Sequence, residues 1–390
     1  MRERDGGGLA ARRLVAPAIA PHGAALSFER ARARWSSECS RECSRMIRAL
    51  LLAAAVATTG CTWVQYLSQA AEGQLEILTR RRPLEEVVTD PSTPPRIRRL
   101  LAEVPRIKGY GETEGLKPTD NYRTYADLQR EAVVWVVSGC EELSFKPKKW
   151  AFPVVGSVPY LGWFHRADAD WFAFQLRDEG WEVDVRPASA YSTLGWFEDP
   201  VLSTMIHEGP EALGELADVV LHESMHATHY VDGQTAFDES IANFVGDRLA
   251  LRWLAQVVGP DAAETRAFNQ AEHARLRRVN LMRTAYRELS KLYASDASDP
   301  VKRAEKAIIL GRLRTEIGAR RPINNATLFE LESYRGGEEE LDRLLVACSG
   351  SFPRLIAALK RISKYDFEEP QQRDLAKVIR PLVSAGCPGS

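Results

Sequence analysis

From residue 211 onward, apolar side chains recur at three- and four-residue spacing, which predicts helices over 211–230, 236–256, 260–294 and 300–318, with shorter pieces to 380. The texture before that is different. Short apolar runs at 152–158, 160–164 and 181–185 are bounded by Gly and Pro and predict strands, and 167–179 between them has helical spacing. Upstream, 62–80 reads as an amphipathic helix with Trp63, Leu67, Ala70 and Ala71 near one face and Leu75 and Leu78 prolonging it. Pro91, Pro94 and Pro95 punctuate the chain before a second short helix at 97–104. Residues 125–137 begin with helical spacing and drift into the β-friendly run AVVWVV. The aromatic, turn-rich segment 190–205 predicts a structured loop or edge strand. No internal repeat is present. The pattern implies an α+β fold, predominantly helical, with a small mixed sheet followed by a helical C-terminal body.

Composition narrows the class. The chain has 390 residues, of which 45% are hydrophobic, enough for a sizeable core and too apolar for a disordered chain. With 52 basic and 53 acidic residues there is no global field to attract nucleic acid. No run of apolar residues is long enough for a spanning helix.

The N-terminal sixty residues are set apart. Met46-Ile47-Arg48 gives a short basic start, 49–57 (ALLLAAAVA) an apolar core too short to cross a bilayer, and Thr58-Thr59-Gly60 leads to Cys61. Small residues immediately before a cysteine resemble a bacterial lipobox, with Thr58 where leucine is usual; the resemblance implies that 46–60 is a lipoprotein signal peptide and that Cys61 becomes the lipidated first residue. The expected location is the cell envelope, exported and lipid-anchored to the outer membrane, facing the periplasm. Residues 1–45, Arg- and Gly-rich without periodicity, read as an unstructured upstream extension or a long signal n-region. The mature chain then divides into a mostly helical segment at 61–148, a core at 149–256 and a helical region at 257–390. Cys140, Cys348 and Cys387 remain after the acylated cysteine; one disulfide between Cys348 and Cys387 and three buried thiols are both open. No CxxC spacing suggests a cysteine metal site.

The candidate chemistry sits at His222-Glu223-Ser224-Met225-His226. Histidines at i and i+4 lie one turn apart on one helix face, about 6 Å between Cβ atoms, so both imidazoles reach one Zn2+. Glu223 falls beside the first of them, where it serves as general base for an attacking water. Leu213, Leu216, Ala217 and Val220 make the helix apolar and buried. A catalytic zinc needs a third protein ligand. Glu239 is the first candidate: the helix ends near Tyr230, Asp232-Gly233 turns, and Thr235 starts a second helix with Asp238 at capping-box spacing, so that Glu239 faces back. Asp232 is the second, although His229 stands where that pattern requires glycine. His229 reads as a supporting or surface histidine, and Asn243 lies on the face of Glu239, able to orient an imidazole. Arg275-Leu-Arg-Arg278 and Arg320-Arg321 read as solvated faces.

Taken with Gly60-Cys61 and the following YLSQAAEGQLEIL, Trp150–Gly156 (WAFPVVG), the block AYSTLGWFEDP at 190–200, Phe237-Asp-Glu-Ser240, and Asn324-Asn-Ala326 with Tyr334, the motif resembles the bacterial family of predicted lipoprotein aminopeptidases, zinc peptidases of gluzincin type. The resemblance runs through nearly the whole mature chain. It implies a zincin-like core, Zn2+ held by His222, His226 and Glu239, catalysis by Glu223, and peptide substrates hydrolysed from the amino end. Asp238 replaces the family's usual asparagine, and Ala151 replaces a frequent cysteine, so a disulfide at 151 is not expected. For the oxyanion, Tyr191 and Tyr334 are the candidate donors. For the substrate amine, Glu198 and Asp199 are candidates, against a role in the turn before Pro200. No GxMEN amine-anchoring motif occurs. Two other readings use the same scaffold: a catalytically silent envelope lipoprotein, against which the retained Glu223 argues, and a zinc hydrolase of non-peptide amides or esters.

Overall fold

The computed structural model describes residues 65–152, 156–190, 198–334 and 337–387. The fold is α+β and predominantly helical, as the apolar spacing implies. Helix α1 covers 65–80, and β1 (Arg81–Pro83), α2 (Leu84–Thr89) and α3 (Pro95–Thr113) follow. The short helix expected at 97–104 is longer than its spacing suggested, because Leu100, Leu101, Val104 and Ile107 continue one buried stripe across Pro105. That tertiary burial offsets the roughly 3 kcal/mol of an interior proline.

The helical start expected at 125 is replaced by β2 (Thr124–Ala126), whereas the β-friendly run at 132–137 does lead into a strand, β3 (Val134–Cys140). Every residue of β3 is buried, with period-two faces. Trp135 and Gly139 turn toward α4 (Arg166–Asp178), where Arg166 stacks on Trp135 and Leu176 approaches Gly139. Val134 and Val136 enter the main core. β3 is the centre of an antiparallel sheet with β6 (Tyr160–Trp163) and β7 (Glu182–Ala188), in register Trp135↔Trp163 and Val136↔Arg186. β4 (Trp150–Phe152) and β5 (Gly156–Val158) make a hairpin, and β8 (Val201–Leu202) pairs parallel with β2, which pairs antiparallel with β1.

The remaining helices are α5 (Ala212–Thr228), α6 (Thr235–Val257), α7 (Ala263–Ala294), α8 (Asp299–Glu316), α9 (Asn325–Tyr334), α10 (Glu338–Ala347), α11 (Phe352–Leu359) and α12 (Ala376–Ala385). Helix α6 is buried on almost all sides and α5 packs against it, against α3 and against α7. Residues from all three expected stretches share one core, and Tyr66–Ser390 forms one compact unit. Asn324 and Asn325 clamp α9 to the sheet. Asn325 Nδ2 donates to the carbonyls of Glu141, Glu142 and Ser144, its Oδ1 accepts from Tyr293, and Asn324 Nδ2 donates to the Val183 carbonyl. Of the two cysteine arrangements the bridge is the one formed: Cys348 is joined to Cys387, and Cys140 is a buried free thiol. Among the described residues no helix is long and apolar enough to cross a membrane.

Candidate metal centre

Helix α5 buries Leu216, Ala217, Val220, Leu221 and Met225 in the core, which turns His222 and His226 toward α6. The two imidazoles stand edge to face, and their Nε2 atoms are 3.1 Å apart. The chain then reverses through 229–234, with Gly233 in the left-handed region (φ 78°) that favours glycine. This turn is pinned from both sides. The Val231 amide donates to Asp238 Oδ1 at 2.8 Å, and the C-terminal segment grips it through Gln371 N to the Gly233 carbonyl and Gln372 N to Gln234 Oε1.

Asp238 therefore serves the turn and not a capping box: Gln234 occupies the N-cap, placing Thr235 one position inside the helix. Burial pushes the Asp238 carboxyl up to about 8, against the lowering effect of the Val231 amide.

The separation of the two helices is set at Gly246. A Cβ there would lie 2.7 Å from Asp218 Oδ1, 3.1 Å from the Asp218 carbonyl and 3.1 Å from His222 Cβ. Glycine lets α6 approach α5 at that level, and Glu239, two turns earlier on the same face, meets the histidines. Its Oε2 is 3.7 Å from His222 Nε2 and its Oε1 3.6 Å from His226 Nε2. Asn243 Nδ2 donates to the Glu239 carbonyl at 2.7 Å, fixing that turn of α6.

Ligand atoms of these three residues all lie within 4.8 Å of one another, and the group could hold a metal ion. Donors 2.0–2.1 Å from a tetrahedral ion sit about 3.3 Å apart, so the observed separations are close to the edges of such a site. Protonation suits it as well. Burial, and secondarily Arg275, holds His222 down at about 4, and burial with the neighbouring His222 holds His226 at about 3. Both rings are neutral and offer lone pairs. Burial raises Glu239 to about 7, with Arg186 of β7 opposing the rise.

A family model described as "Putative aminopeptidase" matches residues 65–374. The chain belongs to that family. No curated protein and no solved structure matches it. Within the family match fall the histidine pair, Glu239 and the Asn324–Asn325 clamp, whereas α12 and Cys387 lie beyond it.

The other expected site residues are placed as follows. Glu223 follows His222 on α5, and its charge helps burial raise the phenol of Tyr122 well above its usual range. Asp232 lies exposed in the turn and outside the three-residue group. His229 points its ring edge-on to Phe237, and burial lowers it. Glu198 is exposed, while Asp199 is buried and its carbonyl accepts from Tyr122 N at 2.7 Å. Tyr191 lies outside the described residues, and so does the side chain of Tyr334, at the end of α9.

Arg275 is not a solvated face. It bonds Asp247 and Glu272, and Asp247 hydrogen-bonds Asp218, whose carboxyl is pushed up by burial and then by the Asp247 charge. This network backs the His222 turn. Sequence reasoning also missed Tyr230, whose ring stands edge-on to His226 at 6.4 Å and whose phenol burial pushes to about 12. Its position four residues after His226 was the available signal. Tyr122, held at φ 64° by tertiary contacts, left no such signal.

Proposed function

We propose that the protein is a membrane-anchored, zinc-dependent aminopeptidase. Convergence of His222, His226 and Glu239 donor atoms next to Glu223 carries this reading, and family membership supports peptide substrates. Two neutral imidazoles and one carboxylate are the donor set of a catalytic zinc with an open position. A cation bound there would supply Lewis acidity, polarising the scissile carbonyl and acidifying water.

The chain's own groups do the rest. Glu223 accepts the proton of the attacking water and returns it to the departing amine. Tyr230 keeps its proton at neutral pH and, with its ring beside that of His226, is the candidate donor to a developing oxyanion. The Asp218–Asp247–Arg275 network holds the His222 turn in place. The signal and lipobox at 46–61 support an envelope location with Cys61 lipidated, and the Cys348–Cys387 bridge agrees with an oxidising compartment. The zincin-like core is part of the same proposal.

The test pairs metal analysis with hydrolysis of amino-acid anilides and N-blocked peptides. Glu223→Gln is expected to retain metal and lose hydrolysis by at least about a hundredfold, with anilides cleaved and blocked peptides spared by the unaltered protein. Full activity in Glu223→Gln removes the general base. Bound metal with no hydrolysis of any peptide, amide or ester favours a silent lipoprotein.

A further inference from the structure

We propose that the outward faces of α1 and α4 form a surface that docks onto the lipid bilayer, an inference that rests on the reading of Cys61 as a membrane anchor. Helix α1 buries one face and leaves apolar residues exposed on another. Gln69, Gly73 and Ile77 are buried on one, and Gln69 ties it to β6, donating to the Gly162 carbonyl and accepting from the Phe164 amide. Leu67, Ala71 and Leu75, at i, i+4 and i+8, line the other, with Leu67 58% and Leu75 60% exposed.

Helix α4 repeats the pattern. Ala169, Phe172, Ala173 and Leu176 are buried, while Trp171 and Phe174 stack on each other at 5.8 Å and are 54% and 57% exposed. The two helices meet at Trp163: Tyr66 at the start of α1 stands edge-on to its ring at 5.4 Å, and the Phe172 ring of α4 lies 5.0 Å from it. Trp163, at the end of β6, thus brings the start of α1 and the middle of α4 to one place in the fold.

The tether makes a bilayer the fitting occupant. Five residue steps separate Cys61 from Tyr66, a span of at most about 18 Å when fully extended. A lipid on Cys61 therefore holds the start of α1 within that distance of the membrane. Tryptophan with a neighbouring aromatic is the side chain that an interface favours, since one part of the indole is apolar and its N–H stays hydrated. Arg166 and Asp170, the charged pair beside Trp171, neutralise each other at 2.8 Å. Docking adds a second attachment to the acyl anchor and fixes the orientation of the body.

The full chain, purified from membranes in detergent, is reconstituted into phosphatidylcholine vesicles whose acyl chains are brominated near the headgroup, and tryptophan emission is compared with that in unbrominated vesicles. Trp171→Phe is expected to lose a component of the quenching that the unaltered protein shows, whatever Trp63 contributes. Equal quenching in both proteins overturns the proposal. Trp171 is exposed, so the variant should melt with the unaltered protein. Self-association in detergent that Trp171→Ser/Phe174→Ser abolishes would assign this face to a second copy and also overturn it. The mass of the peptide bearing Cys61 separates the two readings. A lipidated Cys61 without Trp171-dependent quenching leaves the anchor and removes the docking surface. An unmodified Cys61 with such quenching keeps the surface and removes the anchor.

Discussion

Glu239 holds its proton up to about pH 7 in the metal-free protein, because burial disfavours the carboxylate more than Arg186 restores it. The imidazoles opposite it stay neutral down to about 4 and 3. Of the three donors, only the carboxyl must then give up a proton to a cation near neutrality. Metal affinity is therefore expected to level off above about pH 7 and to fall below it by about tenfold per pH unit, the slope of one released proton. A three-proton slope is excluded above the histidine range. Calorimetric metal titrations in buffers of different ionisation enthalpy count the proton directly, and Glu239→Gln should bind more weakly with the slope gone. At this scale the sequence was partly legible. His222 and His226 are related by one helical turn, so their convergence follows from local geometry alone. Glu239 and Asp232 both stood within reach of that pair, and only the path of the turn places one beside the imidazoles and the other in solvent.

Among the elements, the α5–α6 pair carries the site, and Gly246 sets its spacing. Gly246→Ala would drive a methyl against the Asp218 carbonyl and His222 Cβ, neither of them the flexible end of a side chain. The expected cost is about 1–3 kcal/mol of stability, as for overpacking elsewhere, together with weaker metal binding as Glu239 is displaced. Urea unfolding and metal titration of the same variant check both, and unchanged metal affinity would show that Glu239 does not depend on this contact. Helices α4 to α8 were legible to within a few residues because helical spacing runs through each without an interior proline, whether the helix buries one stripe, as α4 does, or nearly all sides, as α6 does. α3 was not, since Pro105 reads as a stop and only the buried face that spans it reveals otherwise. β3 was legible in its β-friendly composition but not in its bounds, because a strand buried on both faces shows no alternation. Asp238 reads locally as a cap and serves instead as an acceptor for an amide seven residues back.

The whole molecule supports the site from its far end. Residues 369–372 brace the α5–α6 turn, and the Cys348–Cys387 bridge closes the C-terminal region after them onto α10 and α11. With its halves 39 positions apart in the sequence, the bridge limits the unfolded chain enough to contribute about 2–4 kcal/mol. Cys387→Ser should lower unfolding free energy by that amount, read from urea transitions with and without reductant, and reductant should not shift the variant further. The Arg275 network and the seat of Tyr122 exist only at this scale, where α7 and the segment at 198–200 come alongside α5; no local spacing announces either. The central claim is most directly tested by the zinc content of the purified protein and of Glu239→Ala, measured side by side by mass spectrometry. One zinc per chain, sharply reduced by the substitution, is expected; a protein without zinc, or a variant that retains it in full, would contradict the account.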